Sequence, residues 1–312
     1  MAYRLKAGES VPEGVRRIVS DEIEDAAVQL AGKKAKNRDE AIHEARKSVK
    51  KIRGILRLIQ PELGGTYRRE NARLQEIGRK LSEFRDAGAI IETFDDIRKK
   101  YRAELRNHNL ASIRRGLVQR KKEAEEKAGI EKALGKIAAT LRALGKDVKG
   151  WPLQTDGFPA IAPGLRNVFR RGRKTLAYAR KHPRPENYHD LRKRVKDHWY
   201  HVRLLENLWT DVMKAYEASL KDLETWLGED HNLVVLRAKI LAEPDFYGSD
   251  KEIQRLLILI GKYEKELRDN SISLAERIYE VKPRAFTKRL EKLWHAWQTQ
   301  PESMKEPERT IP

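Results

Sequence analysis

The sequence contains no cysteine among its 312 residues. This absence excludes disulfides, thiolate metal ligands and a cysteine nucleophile. Long apolar runs are also missing, because the longest aliphatic stretch covers only residues 256–260. Such a run is too short to cross a bilayer, and the first residues lack the apolar core of a signal peptide. We therefore expect no membrane segment and a cytoplasmic location.

Acidic side chains are too few to balance the basic ones. The chain has 66 Lys and Arg against 47 Asp and Glu, which gives a formal net charge of +19. A field of this size attracts polyanions but says little about the fold. Because 39% of the residues are hydrophobic, the composition predicts a charged globular protein with a core rather than a disordered chain.

Alternating β-branched runs are absent as well, and the chain is predicted to be all-α. Apolar residues recur at spacings of three and four within stretches rich in Ala, Leu, Glu, Lys and Arg. Residues that stop or start helices divide these stretches. They are Gly32, Pro61, the Gly64-Gly65 pair, His182-Pro183, Gly228 and Pro283.

One basic motif occurs twice. His43-x-x-Arg46-Lys47-x-x-Lys50 reappears 146 residues later as His189-x-x-Arg192-Lys193-x-x-Lys196. The same offset pairs Arg57 with Arg203, Leu81 with Leu227 and Glu83 with Glu229. A register kept without a gap over more than forty residues indicates an internal duplication. It predicts two similar helical halves packed together, each with a cationic helix face, and a partner that can bridge both copies.

Residues 149–163 form the one clear linker, because Gly, Pro and Trp replace the charged helical composition there. The predicted repeats are residues 1–148 and 164–312. We expect one domain over residues 1–312, since a short linker carrying Trp151 and Phe158 should dock on the protein.

The first motif predicts a helix with two distinct faces. At about 100° per residue, with His43 at zero, the basic residues from Arg46 to Arg57 fall within roughly 80° on either side. Apolar residues occupy the remaining arc. The only acid in this stretch is Glu44, which is expected to project away from the centre of the basic stripe. Because solvated faces usually alternate acids with bases, the pattern favours an anion-binding face.

The second motif keeps the basic stripe but has fewer basic residues on it. Asp197 and Trp199 stand where the first copy has Lys51 and Arg53. Tyr200 is predicted to join the polar face, where its hydroxyl could donate to a phosphate. His198 and His201 fall on the core side of the helix. Because His189 points about 180° from His198, one metal ion cannot bind all three histidines, and we expect no metal site.

This pattern resembles the CHAD family of histidine-containing α-helical domains, which is associated with inorganic polyphosphate. The two motifs carry the resemblance, together with Arg85-Asp86 in the first half and the later counterpart His231-Asn232. The resemblance implies a stand-alone CHAD domain, an all-α fold of two pseudo-symmetric helical bundles packed around a basic groove or pore that the motif helices line. Where the family favours Arg-Asp, His231-Asn232 weakens the charge of the second half, so we expect an asymmetric site.

The candidate polyphosphate-binding residues come from both halves. They are His43, Arg46, Lys47, Lys50, Lys51, Arg53, Arg57, Arg79, Arg85, His189, Arg192, Lys193, Lys196, Tyr200 and Arg203. Arginine forks phosphate oxygens and lysine supplies a mobile charge. A histidine among such cations should resist protonation until a polyanion arrives, which predicts tighter binding at mildly acidic pH.

Two short stretches match enzyme motifs. His189-Asp190 matches a dipeptide of metal-dependent phosphohydrolases, but no further histidine and aspartate cluster completes a metal set. Glu123-Ala-Glu125-Glu126-Lys127 matches triphosphate tunnel enzymes, where the acids line a barrel strand. Here the segment lies in a charged run that predicts a helix. With no phosphate-binding glycine loop or nucleophile elbow, we expect no catalytic residue and no cofactor.

The predicted partner is inorganic polyphosphate or another polyanion, bound without catalysis, and the prediction extends to targeting to polyphosphate granules. Nucleic-acid binding is the alternative, since the same charge would permit it. Specific nucleic-acid binders usually add stacking platforms or a groove-reading motif, and neither is evident in the sequence. No pattern in the sequence points to a protein partner.

Overall fold

The computed structural model describes residues 3–32, 38–106, 108, 110–127 and 130–300, except for the side chains of residues 85–87 and 124–127. These residues form α-helices, one short 3-10 helix and the turns between them, with no strand among them. The all-α prediction is therefore confirmed.

The first half contains six helices. Helix α1 packs on α2 and on α6, α2 packs on α4, and α4 packs on α5. The helices are α1 (Val11–Leu30), α2 (Arg38–Leu58), α3 (Gln60–Leu63), α4 (Gly65–Lys100), α5 (Ala111–Lys127) and α6 (Ile130–Val148).

The second half repeats this order of contacts. Helix α7 packs on α8 and on α12, α8 packs on α9, and α9 packs on α11. These helices are α7 (Phe158–Lys181), α8 (Pro185–Leu204), α9 (Thr210–Ala242), α10 (Pro244–Tyr247), α11 (Asp250–Ile278) and α12 (Pro283–Gln298), with a 3-10 turn at Glu206–Leu208. The correspondence is what a duplicated unit would produce, and the duplication itself stays a prediction.

Most of the predicted helix boundaries are found. Helices end or begin next to Gly32, Pro61, Gly64, His182 and Pro283. The stop predicted at Gly228 is wrong, because that residue lies inside α9. The glycine serves packing instead: a Cβ at Gly228 would lie 3.2 Å from a guanidinium nitrogen of Arg192 on α8.

The linker docks as predicted, with Trp151 and Phe158 both buried. Its helical content differs from the prediction, because α7 begins at Phe158 and takes in residues 158–163. A proline in the first turn of a helix costs no hydrogen bond, so Pro159 does not prevent this early start. Only residues 149–157 lie outside the helices.

Two hydrophobic cores are connected by the two long helices. The larger core draws on both halves, and the smaller one is formed by the later parts of α4 and α9 with α5, α10 and α11. Helices α4 and α9 have 36 and 33 residues, so each extends for about 50 Å. Their apolar residues enter the larger core first and the smaller core afterwards.

The N-terminal segment crosses between the halves, a contact that the sequence did not predict. The Tyr3 hydroxyl donates to the carbonyl of Lys51 on α2 at 3.0 Å. The Leu5 amide donates to the carbonyl of Leu204 on α8, also at 3.0 Å. Both side chains are buried, so this segment links the middle of α2 to the end of α8.

Gly164 permits the closest approach between the halves. A Cβ on this α7 residue would overlap the carbonyl oxygen of Leu58, a rigid backbone atom at the end of α2. We expect Gly164→Ala to lower the free energy of unfolding by about 3 kcal/mol, because the two helices would have to move apart. Urea unfolding measures this loss.

Gly14 on α1 provides the matched control, since a Cβ there would meet only the ends of the Leu5 and Glu9 side chains, each at 2.7 Å. These ends can move, so Gly14→Ala should cost less than about 1 kcal/mol. Equal losses in the two variants would contradict this account of the interface.

Candidate anion-binding site

The motif helices α2 and α8 meet directly. Gly54 on α2 leaves room for Tyr200 on α8, whose Cβ would lie 3.1 Å from a Cβ at the glycine. At the same contact the His201 Nε2 donates to the Gly54 carbonyl at 2.9 Å, and Arg57 pairs with Asp197 at 2.9 Å. This close contact brings the cations of the two copies together.

Four motif cations gather beside this contact, and we call them the central cluster: Arg46 and Lys50 on α2, and Arg192 and Lys196 on α8. Lys50 is the most strongly affected. Burial, with the charges of Lys196, Arg46 and Arg192, lowers its pKa to about 6, against the opposing pull of Glu224. Within the described part of the chain, no ion pair joins Lys50 to a carboxylate.

Lys196, the counterpart of Lys50, does have a counter-ion. Its Nζ lies 2.6 Å from Glu224 on α9, and the same carboxylate lies 3.3 Å from Arg192 and 3.6 Å from Lys221. Burial would raise the pKa of Glu224, but Lys196 and Arg192 outweigh it and lower the pKa to about 2. The carboxylate is therefore ionised at neutral pH.

The first half has no equivalent of Glu224. At the offset of 146, the position that corresponds to Glu224 is Gly78 on α4. The basic pair of the second copy is thus balanced by an acid that the first copy lacks at this position. The charge balance of the cluster therefore differs between the halves, and one source of the difference is a residue outside the motif, while the asymmetric binding site stays a prediction.

The outer lysines of the two motifs are paired in the same way. Lys47 lies 2.9 Å from Glu44, and Lys193 lies 2.9 Å from Asp190. Glu44 thus borders the basic stripe, because a carboxylate three residues before a lysine lies close to it on the helix surface. Both lysine side chains are about half exposed, at 48% and 49%, so a solvent ligand could compete for them.

The motif histidines lie at the edge of the cluster. His43 is 40% exposed and lies 3.9 Å from Glu44. His189 is half-buried and stacks on His231, with 4.2 Å between the ring centroids. Burial and the charges of Lys193 and Arg192 lower the pKa of His189. The direction predicted for a histidine among cations is therefore found at His189.

Four other candidates are bound within the fold. Arg53 donates to Asn71 at 3.2 Å, and burial beside Arg57 lowers the Arg53 pKa to about 10. The remaining three form ion pairs: Lys51 with Glu22 at 2.6 Å, Arg57 with Asp197 at 2.9 Å and Arg203 with Glu217 at 3.1 Å. These contacts hold helices together and leave less of the charge for a ligand.

Tyr200 does not lie on the polar face as predicted. Its side chain is buried, stacked on Trp199 at 5.0 Å and in edge contact with Tyr3 at 6.0 Å. At this level α8 covers α2, because Gly54 of α2 leaves room for the tyrosine ring. The hydroxyl is thus placed in the core rather than on a ligand-binding surface.

The two candidates on α4 have different outcomes. Arg79 is exposed and pairs with Glu76 at 2.7 Å and with Glu83, so its charge is locally balanced. The side chain of Arg85 lies outside the described residues, as does that of Asp86.

His198 and His201 are buried on the core side of α8, as predicted. Burial lowers their pKa values to about 3 and about 4, so both rings are neutral at physiological pH. Among the residues whose side chains are described, no three histidine, aspartate or glutamate side chains are grouped as a metal site would need.

The remaining predictions concern segments away from the cluster. Helix α5 includes residues 119–127, as expected for the Glu-x-Glu-x-Lys segment, although the side chains of Glu125 and Glu126 lie outside the described residues. Two open clefts, of about 610 and 850 Å³, lie against α5, α10 and α11 rather than at the central cluster. The basic groove therefore stays a prediction. No described helix is long and apolar enough to cross a membrane.

Sequence reasoning missed two contributors to the site, Glu224 and Lys221. Neither lies in the motif, so a search for basic residues passes over them. Comparing the two halves at the offset of 146 would have found the substitution, because it sets Glu224 against Gly78 between the matched leucines Leu74 with Leu220 and Leu81 with Leu227.

The fold and the cluster define a class: an all-α protein in which two similar halves bring basic helices into contact. A family model described as the CHAD domain matches residues 18–241. The chain belongs to the CHAD domain family, as the sequence motifs predicted. Comparison with curated protein sequences finds no match.

The structure resembles a crystal structure of the CHAD domain from the plant Ricinus communis. The two share 16% sequence identity with a TM-score of 0.57, and the alignment covers 95% of each chain. At this identity the likeness establishes the shared fold.

Lys50 and Lys196 should respond oppositely to removal of their charge. We expect Lys50→Met to raise the free energy of unfolding by at least about 1 kcal/mol near neutral pH, because it removes a buried amine without a counter-ion. An unfolded lysine titrates near pH 10.4. The loss in the free energy of unfolding that Lys50 causes is therefore greatest below pH 6 and decreases as the pH rises towards 10. Urea unfolding at about pH 6 and about pH 9 should show the gain shrinking with pH.

Lys196→Met is the matched control. It deprives Glu224 of its shortest ion pair and should lower the free energy of unfolding by about 1–3 kcal/mol. The assignment is contradicted if both methionine variants destabilise the protein equally.

Proposed function

We propose that this protein binds inorganic polyphosphate, without catalysis, at the central cluster and the motif residues beside it. The observation that carries the proposal is Lys50, a largely buried amine surrounded by Arg46, Arg192 and Lys196 and joined to no carboxylate by an ion pair in the described chain. A bound polyanion would supply the missing negative charge.

The chemistry of the cluster suits a repeating phosphate. Polyphosphate carries about one negative charge per phosphate and has no base or side chain to recognise, so its binder needs spaced cations. Arg46 and Arg192 can each grip two phosphate oxygens, while Lys50 adds a point charge between them. Lys47 and Lys193 lie about one turn before Lys50 and Lys196 on their own helices and add to the basic surface.

The proposed role is binding rather than turnover. Asp190, the acid of the His-Asp dipeptide, pairs with Lys193 at 2.9 Å, and its partner His189 stacks on His231. Both are engaged in contacts that suit a binding surface. We extend the proposal to a role in targeting the protein, or a partner, to polyphosphate granules in the cytoplasm.

Charge reversal in the first motif tests the site. We expect Arg46→Glu with Lys50→Glu to weaken polyphosphate binding at least about 100-fold, because two attractive charges become repulsive. The measurement is fluorescence anisotropy, with polyphosphate displacing labelled single-stranded DNA. Arg284→Glu with Lys288→Glu is the matched control, since it makes the same change in net charge on the exposed face of α12.

The same assay separates polyphosphate from nucleic acid. If polyphosphate fails to displace DNA at equal phosphate concentration, the nucleic-acid alternative is favoured. A loss of helicity in the double variant would mean that Arg46 and Lys50 are structural. Equal weakening by the control pair would mean that net charge alone drives binding.

Binding should depend on pH through Lys50. The groups that face it are Arg46 on α2, Arg192 and Lys196 on α8 and Glu224 on α9. A polyanion placed there favours the charged amine, so binding above pH 6 takes up a proton. We expect the affinity to fall by up to about tenfold per pH unit between about pH 6.5 and 8.

Lys50→Arg tests this origin of the pH dependence, because arginine keeps its charge across the whole range. Its affinity should be nearly flat over the same interval when both proteins are titrated by calorimetry. A wild-type affinity that does not change from pH 6 to 8, or equal slopes for the two proteins, would refute the role of Lys50.

A further inference from the structure

Glu224 lies where a ligand phosphate would lie in the second copy of the motif. It is 5% exposed and bridges Lys196, Arg192 and Lys221 at 2.6, 3.3 and 3.6 Å. One carboxylate thus joins three cations from two helices, which is the arrangement in which arginine and lysine bind a phosphate.

The surrounding fold holds Arg192 towards Glu224. The guanidinium packs against α9 where Gly228 leaves room, with one of its nitrogens 3.2 Å from the position of a Cβ there. Gly228 lies four residues after Glu224, so both are on the same face of α9. The glycine and the acid together seat the arginine on this helix.

The first copy has the same space without the acid. Gly78 occupies the equivalent position on α4, and a Cβ added there would meet only Val49 Cγ1, at the ordinary contact distance of 3.7 Å. A larger residue is therefore sterically permitted at Gly78. With glycine there, α4 supplies no carboxylate to the Lys50 side of the central cluster from this position.

We propose that Glu224 is an internal counter-ion that occupies the phosphate position of the second motif and confines polyphosphate to the first. This inference rests on the proposed function, because it assigns the bound anion to one side of the same cluster. Polyphosphate must displace a buried, ionised carboxylate to engage Lys196, whereas at Lys50 it has no ion pair to break, because the same carboxylate acts on Lys50 only from beyond ion-pair distance.

Two substitutions test the inference, and each makes one half of the chain resemble the other at this position. Glu224→Gln removes the internal anion and should tighten polyphosphate binding about tenfold while lowering the melting temperature, since Lys196 loses its counter-ion. Gly78→Glu installs an anion beside Lys50 and should weaken binding about tenfold while raising the melting temperature. Calorimetric titration and thermal unfolding give the two readouts.

Matched controls separate local effects from changes in net charge. Asp222→Asn makes the same charge change as Glu224→Gln at an exposed position of α9, and Gly135→Glu makes the same change as Gly78→Glu on an open face of α6. Neither control should alter binding more than about twofold.

The possible outcomes distinguish this inference from the proposed function. If the wild-type protein does not bind polyphosphate, the proposed function fails and this inference fails with it. If the wild type binds but Glu224→Gln and Gly78→Glu behave like their controls, only the inference is overturned. Should Glu224→Gln fail to fold, Gly78→Glu decides, because weaker binding with a higher melting temperature cannot come from damage to the fold.

Discussion

The burial of like charges where α2 meets α8 is the constraint on which the rest of the structure depends. The two helices approach closely because Gly54 has no side chain and Tyr200 fills the space above it. His198 and His201 lie beneath this contact with pKa values of about 3 and about 4, so both rings are neutral at physiological pH. The four cations of the central cluster lie together beside this contact, where burial and the charges of the other three lower the pKa of Lys50 to about 6. A group of this kind costs stability, and the cost must be met by packing elsewhere.

The long helices α4 and α9 supply that packing. Each contributes apolar residues to both cores, and each crosses behind one motif helix. Because α9 continues from one core into the other without a break, its position is fixed at both ends, and Glu224 is held at one place along it. The counter-ion of the second motif is therefore set by the scaffold rather than by the motif. The same reasoning applies to Gly78 on α4, which keeps the corresponding place in the first half free of an acid.

Much of the fold follows from the sequence, because helix periodicity and helix-stopping residues are local signals. The helices of the described chain, most of their ends and the docking of Trp151 and Phe158 could be predicted from them. The helix end predicted at Gly228 was wrong, because the sequence alone does not distinguish a glycine that ends a helix from one that leaves room for a neighbouring guanidinium. The motif cations were found by their spacing, but Tyr200, Lys51, Arg57 and Arg203 are engaged by partners on other helices. A projection of one helix cannot show which of its charges a distant carboxylate will balance.

The difference between the halves has a physical rationale. If both copies carried an acid at the position of Glu224, every cation of the central cluster would be balanced, and the cluster would attract an external anion only weakly. If neither copy did, two buried amines would lack counter-ions, and the loss of each such partner costs about 3–5 kcal/mol. Two such losses would consume most of the 5–15 kcal/mol that stabilises a typical domain. One acid in two copies satisfies both requirements, since Lys196 with Glu224 supports the fold and Lys50, which has no ion pair, can take up a proton when an anion binds.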